Sequence, residues 1–327
     1  MTVPSGALRF NSDSGKLEYY NGEVWWQIDN FSADNATGGA RGVFGGGYVA
    51  PANQNVIDYV TISTTGNALD FGDLTVARRG GRGSLASTTR GVWASGYTTD
   101  NTNTIDFVTI SSTGNATSFG NLTGIRRDVG GLSNSTRGLF GGGVVSAVIN
   151  IIEYITIAST GNAVDFGDLL NAARSLGSCS STTRGVWGGE YLVPAQTNVI
   201  QFLTIATLGN AVDFGDLTQA RSSANALSNS TRGLWGGGST PTTVNTIDYI
   251  TIATTGNAID FGDLTQTVAG PASAASPTRG VWAGGAVSNN VIAYVSILST
   301  GNAIDFGDLT VARDNGIGGL SNGHGGL

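Results

Sequence analysis

The chain is predicted to be all-β: a six-bladed β-propeller with a small β-meander at its N-terminus. Three observations predict it. The tripeptide Gly-Asn-Ala recurs at Gly66, Gly114, Gly161, Gly209, Gly256 and Gly301, in steps of 48, 47, 48, 47 and 45 residues. Each copy carries several short strand signals between turn residues, and repeats of this length suit propeller blades. The composition suits short strands and tight turns, since Gly makes up 51 of 327 residues and only 12% are charged. One four-stranded sheet cannot cover both of its own faces, so the copies must pack on each other.

The elements follow in chain order. Residues 1–30 read as a three-stranded meander. Leu8 and Phe10 alternate, Leu17 and Tyr19 alternate, and Ser14-Gly15 and Asn21-Gly22 mark the turns. A meander this small does not stand alone, so it is expected to be an attachment module anchored by Phe10, Tyr20, Trp25 and Trp26. Residues 31–327 then hold six repeats of about 47 residues. Each repeat has four expected strands. The first lies around Leu85, Leu132, Cys179, Leu227 or Ala274, and the second begins at Arg-Gly (Arg41, Arg90, Arg137, Arg184, Arg232, Arg279). The third is a β-branched run such as Thr246 to Ile252, apolar on both alternations apart from one polar residue, as a sheet covered on both faces requires. The fourth follows Thr-Gly-Asn-Ala, whose Gly and Asn accept positive φ in a turn.

The two ends of the chain complement each other. The first copy has a degenerate first strand at 33–40, while Gly318-Gly-Leu-Ser-Asn322 repeats Gly130-Gly-Leu-Ser-Asn134 with no second strand after it. Residues 316–327 are therefore expected to supply the first blade's missing strand and close the ring, which removes exposed sheet edges.

Charge and composition narrow the function classes. The net charge is −7, and Lys16 is the only lysine against fifteen arginines, which disfavours nucleic acid, whose phosphates demand cationic surfaces. The tract Arg-Arg-Gly-Gly-Arg-Gly from Arg78 to Gly83 reads as a turn between blades. Cys179 is the single cysteine and fills a slot held elsewhere by Leu or Ala, so it reads as a buried packing thiol with no disulfide or thiolate zinc site. His324, at a Gly-rich terminus, is expected to be solvated. Asp-Phe-Gly occurs five times at the repeat period, without the Gly-rich strand, lysine and catalytic loop that would make it a kinase motif. Its Phe is expected to anchor neighbouring blades. Its flanking carboxylates, such as Asp70 and Asp73, are expected to accept turn amides or face the recurrent arginine. The EF-hand spacing is missing, and no metal or cofactor is expected. No signal peptide is read at the start. The most apolar stretch, Val144 to Ala158, is broken by Asn150 and Glu153, so membrane insertion is not expected.

Two resemblances add to this reading. An arginine before the first strand (Arg78, Arg127, Arg174, Arg221, Arg313) and glycines ending the second (Gly45-Gly46, Gly141-Gly142, Gly236-Gly237) resemble the kelch type of propeller. The fit is partial, because Tyr59 and Phe71 stand twelve apart and no Trp follows at the short kelch spacing. Gly6, Leu8-Arg9-Phe10-Asn11, Gly15, Glu18, Tyr20-Asn21-Gly22 and Trp25 resemble a module of virion proteins in tailed bacteriophages. The Thr-Gly-Asn-Ala-x-Asp-Phe-Gly-Asp-Leu repeats are likewise similar to structural proteins of marine phages, cyanophages among them.

The resemblance implies a tail-fibre or virion-surface protein, assembled in the host cytoplasm and carried on the particle. In that role the N-terminal module meets other virion proteins. The propeller loops bind a host-surface receptor, a glycan or a protein, and their polar composition suits polar ligands such as glycans. The loops vary while the framework repeats, which suits recognition. The receptor-binding candidates are Tyr48, Asn53, Tyr97, Asp100, Asn101, Tyr191 and Gln196. A capsid decoration or tail connector protein with a purely structural role is the alternative. An envelope glycan-degrading enzyme would need paired carboxylates. The four glutamates are Glu18, Glu23, Glu153 and Glu190, of which only the last two stand out as unique to their blades, so the chain is read as a non-enzyme. No heptad stretch encodes an oligomer, and homo-oligomerisation is left open.

Overall fold

In the computed structural model the described residues are 3–11, 16–27, 39–286, 289–314 and 316–327. The chain divides into two compact units, residues 1–39 and 40–327. Among the described residues every regular element is a β-strand.

The first unit is a three-stranded antiparallel sheet of Leu8–Asn11, Lys16–Tyr20 and Trp25–Gln27. Leu8 lies opposite Tyr19, and Tyr19 opposite Trp26. The second turn forms because the Asn21 side-chain oxygen accepts the Glu23 and Val24 amides at 2.9 and 2.8 Å, a local bond that Asn makes readily.

Among the described residues the second unit holds six four-stranded antiparallel sheets and a two-stranded ribbon of Tyr48–Val49 and Ala52–Asn53. Five of the sheets follow the chain, at 83–126, 130–173, 177–216, 225–263 and 272–313. The sixth is composite. The C-terminal strand Gly318–Ser321 pairs with Arg41–Gly45, Leu320 opposite Val43, and that strand leads on to Val56–Thr61 and Leu69–Asp73. Residues 33–38, read above as part of a degenerate first strand, lie outside the described residues.

Neighbouring sheets are clamped at every level by the repeated residues. The six first strands bond in cyclic order. Ser133, Ser180 and Ser228 Oγ donate to the carbonyls of Ala86, Ser133 and Ser180 at 2.7, 2.7 and 2.8 Å. Ser273, Ser321 and Ser84 Oγ donate to those of Ala226, Ala275 and Gly319 at 2.6, 2.6 and 2.8 Å. At the opposite edge Gly-Asn-Ala docks on the fourth strand of the preceding sheet. Gly114 N donates to Phe71 O at 2.7 Å, and Asn115 Oδ1 accepts the Asp73 amide at 3.1 Å. The same bond recurs at Asn67, Asn162, Asn210, Asn257 and Asn302. This is why the glycine of Asp-Phe-Gly matters. Gly72 has φ 144°, and a Cβ there would lie 2.5 Å from Gly114 O. The tripeptide is therefore a clamp between sheets as well as a turn.

The arginine of Arg-Gly clamps the same face. Arg90 lies over the Phe107 ring at 4.8 Å and donates to Ile157 O of the next sheet at 2.9 Å. Each Asp-Phe-Gly phenylalanine is buried edge-on against the third strand's ring, as Phe71 is against Tyr59 at 5.8 Å. The apolar core is accordingly six clusters, each drawn from adjacent sheets. Truncating one such Phe to Ala would cost about 3–5 kcal/mol. Cys179 is buried in one of these clusters, and its desolvated thiol is pushed up.

Three expectations need correction. The buried arginines before the first strands are Arg78, Arg126, Arg221 and Arg313; Arg127 and Arg174 stand one residue beyond this position. Their partners are third-strand acids, not Asp70 or Asp73. Arg78 pairs with Asp106, Arg126 with Glu153 and Arg313 with Asp58, each at 2.8 Å, and Arg221 pairs with Asp248 at 2.9 Å. An acid in the middle of an otherwise apolar strand is tolerated because this ion pair neutralises it. His324 is not solvated. Its Nε2 lies 3.0 Å from Ala86 O and 3.4 Å from Ser133 Oγ, inside the space enclosed by the first strands. Burial lowers its pKa, with the contact to Ala86 opposing.

Candidate functional site

The turns before the first strands and the loops between second and third strands meet at one end of the sheets. Each turn pairs with a loop through an isolated bridge: Arg79 with Tyr97, Arg127 with Val144, Arg174 with Tyr191, Ser222 with Ser239, Ala269 with Ala286 and Asp314 with Tyr48. The residue after the turn position has positive φ. In five turns it is Gly80, Asp128, Ser175, Ser223 or Gly270, with φ between 57° and 65°; in the sixth, the residue after Asp314 lies outside the described residues. Their backbones link in series. Asp128 N donates to Gly80 O, Ser175 N to Asp128 O, Ser223 N to Ser175 O and Gly270 N to Ser223 O, at 2.8 to 3.1 Å. Three non-glycine residues hold a left-handed conformation, at a cost of about 1–2 kcal/mol each, because these bonds fix them there.

The framework is common to all six turns, but the side chains are not. On one half they form a continuous ladder. Arg79 lies over Tyr48 at 4.7 Å and over Tyr97 at 5.0 Å, and Arg127 over Tyr97 at 5.5 Å. Asp128 Oδ2 then sits 3.7 Å from Arg127 Nε and 3.6 Å from Arg174 Nη1, and Arg174 lies over Tyr191 at 5.1 Å. The other half presents Ser222, Ser239, Ala269 and Ala286 at the same positions. The ladder borders an open concavity of about 490 Å³ lined by Arg79, Gly80, Tyr97, Arg127, Asp128 and Arg174, within the size range of ligand pockets.

Arg82 belongs to the same turn as Arg79 but points elsewhere. It stands where the other copies have Val129, Leu176, Ala224, Pro271 and Ile317. Its guanidinium reaches across to Gly270, where a Cβ would collide with Nη2. It lines the mouth of a cavity, enclosed by the first strands, that runs down to His324. That cavity, about 60 Å³, has room for a few waters but not for a sugar ring. Burial pushes the Arg82 pKa down; Asp128 opposes the shift and Arg174 adds to it. An arginine so perturbed still keeps its charge.

Of the sequence candidates, Tyr48, Tyr97 and Tyr191 come together in the ladder. The amides brace loops instead. Asn53 Nδ2 donates to Tyr97 O and Thr98 O at 3.1 and 3.0 Å. Asn101 Nδ2 donates to Val144 O and Val145 O at 3.4 and 3.2 Å, and its Oδ1 accepts from Arg127 at 2.7 Å. Gln196 Nε2 donates to Thr240 O at 3.2 Å. Asp100 Oδ1 accepts the Asn101 amide at 2.7 Å within its own turn. Sequence reasoning missed Arg79, Arg82, Arg127 and Arg174. The available signal was the Arg-Arg doublets at 78–79 and 126–127: one arginine of each satisfies the framework, and the second has no framework role.

In the first unit the four anchoring candidates divide between two faces. Phe10 and Trp26 stand with Leu8 and Tyr19 on one face, exposed by 69%, 60%, 61% and 39%. Tyr20 and Trp25 lie on the other, 5.2 Å apart, with Arg9 over Trp25 at 4.2 Å. Among the described residues no three His, Cys, Asp or Glu side chains are grouped to hold a metal, and no helix is long and apolar enough to cross a membrane. No protein-family profile matches the chain, and no curated protein matches it either.

Proposed function

We propose that residues 40–327 form a six-bladed β-propeller, and that the protein is a virion-surface recognition protein of the tail-fibre kind. The propeller reading is supported by the cyclic order of the first-strand bonds and by the strand that the chain end lends to the first copy. The recognition reading is carried by one observation: on a framework repeated six times, one half of one face departs from the repeat in a concerted way, into a ladder of three arginines and three tyrosines. Concerted departure at exposed loops of a rigid scaffold is what a binding surface needs. The ligand class is a host-surface glycan, and the first unit attaches the protein to the particle through the face carrying Leu8, Phe10, Tyr19 and Trp26.

Binding is favoured over glycan cleavage by the fate of the two glutamates with catalytic potential. Glu153 is buried against Arg126 and Thr123, and Glu190 is buried against Gln201. Neither is open to a substrate. The test is adsorption of particles carrying the full chain or a chain lacking residues 1–30. Loss of incorporation on truncation, with host binding by the free truncated protein retained, is the expected result. Normal incorporation of the truncated chain would refute the division of labour.

A further inference from the structure

The ladder also specifies the chemistry of its ligand. Arg79, Arg127 and Arg174 gather at one concavity of a chain whose net charge is −7, and Arg82, from the same turn as Arg79, lines the separate cavity enclosed by the first strands. Asp128 is the carboxylate at that concavity, and it is shared at 3.7 and 3.6 Å between Arg127 and Arg174; Asp100 and Asp314 lie at the edges. The guanidiniums are held in place without being used up. Arg79 is held by two rings, Arg127 by Tyr97 and Asn101, and Arg174 by Tyr191. Stacking on a ring fixes a guanidinium plane while its N–H edge stays available. Arg82 Nε and Arg174 Nε are buried and make no hydrogen bond, as is also true of Nε in the framework arginines Arg78, Arg126, Arg221 and Arg313; what sets the concavity apart is that its guanidiniums cluster with one shared carboxylate. Guanidinium donors left without acceptors in a partly dehydrated concavity are costly unless an oxyanion meets them.

Building on the recognition reading above, we infer that this concavity binds the anionic groups of an acidic polysaccharide, as uronate carboxylates or sulfate esters. Planar forked donors match such oxyanions. The tyrosine hydroxyls offer hydrogen bonds to sugar hydroxyls. The acidic remainder of the chain disfavours a nucleic acid, whose charges are packed far more densely.

The test is calorimetric titration of the full chain with four probes: a polygalacturonate oligosaccharide, a sulfated dextran oligosaccharide, neutral dextran of equal length and a single-stranded DNA oligonucleotide. One or both charged saccharides should bind, and which one does identifies the anion. Arg127→Gln, at a half-buried side chain and with its fold checked by thermal unfolding, should weaken binding about tenfold, and Arg127→Gln with Arg174→Gln about a hundredfold, as for lost charge-assisted bonds. Thr243→Gln, at an exposed loop residue on the other half of the face, should change nothing. If neutral dextran binds as tightly and the arginine variants are unaffected, recognition stands and the anionic ligand is refuted. If no saccharide binds, both fall. Tighter binding of the DNA than of either charged saccharide would overturn the inference in favour of a nucleic acid.

Discussion

Arg78 and Arg79 are chain neighbours with opposite environments. Arg78 is buried against Asp106 at 2.8 Å and donates to Trp93 O at 3.3 Å. Arg79 lies half-buried between two tyrosine rings at the loop face. The same contrast separates Arg126 from Arg127. The buried position behaves as a framework residue: arginine and acid occur together in four sheets and are absent together in the sheet with Val268 and Ala293. In the remaining sheet Ala173 and Gln201 stand there, and Glu190 takes up the bond to Gln201. The next position, half-buried in five copies and buried at Ser222, follows no such rule, being Arg, Arg, Arg, Ser, Ala and Asp around the set. Where a residue is coupled to a buried partner it varies only with that partner. Where it is partly open to solvent it is free to differ, and the differences collect into a surface.

The sharpest way to break this contrast is Arg221→Val. It leaves Asp248 buried and unpaired and should cost about 3–5 kcal/mol, read as a fall in the denaturant midpoint. Arg127→Val at the next, half-buried position should cost less than about 1 kcal/mol. Equal losses at the two sites would refute the distinction. Pairing Arg221→Val with Asp248→Ala copies the apolar sheet and should recover about 2 kcal/mol or more of the loss, a coupling expected of contacting residues.

Glu190 gives a pH signature of similar size. Burial raises its pKa to about 7, with the Gln201 bond opposing. The folded chain therefore keeps a proton that the unfolded chain releases above the ordinary glutamate value of 4.5. Stability should fall as pH rises from 4.5 towards 7, by roughly 3 kcal/mol from this group. Burial raises Asp58 and Glu153 in the same direction, so the Glu190 share is read as the difference between wild type and Glu190→Gln. A variant with the wild-type pH profile would show that Glu190 is not the group responsible. The smallest expected effect is Asn53→Ala, which removes the brace from Asn53 to Tyr97 O and Thr98 O. It should cost about 1 kcal/mol, measured by thermal unfolding, and loosen the Tyr97 loop.

Much of this was legible in the chain. The four strands of each copy were readable because strand pattern and turn chemistry are local. The C-terminal strand was readable because Gly318 to Asn322 duplicates Gly130 to Asn134. The arginines were not. A doublet such as Arg126-Arg127 does not say which member turns inward, since that depends on the backbone course of a turn held by bonds to other sheets. Nor could the chain show that Asn53, Asn101 and Gln196 brace neighbouring loops, because their acceptors lie 44, 43 and 44 residues away. His324 looked solvated because nothing near it in sequence buries it; Ala86 and Ser133 do.

The amino-acid sequence by itself determined the period, the strand content and the polar residue in the middle of five of the six third strands. These depend on alternation, turn residues and covalent neighbours. The tertiary structure alone decided which arginine of a pair meets an acid, which tyrosines face each other, and where an unpaired guanidinium comes to rest. Those outcomes depend on the relative placement of different sheets, which no local pattern encodes.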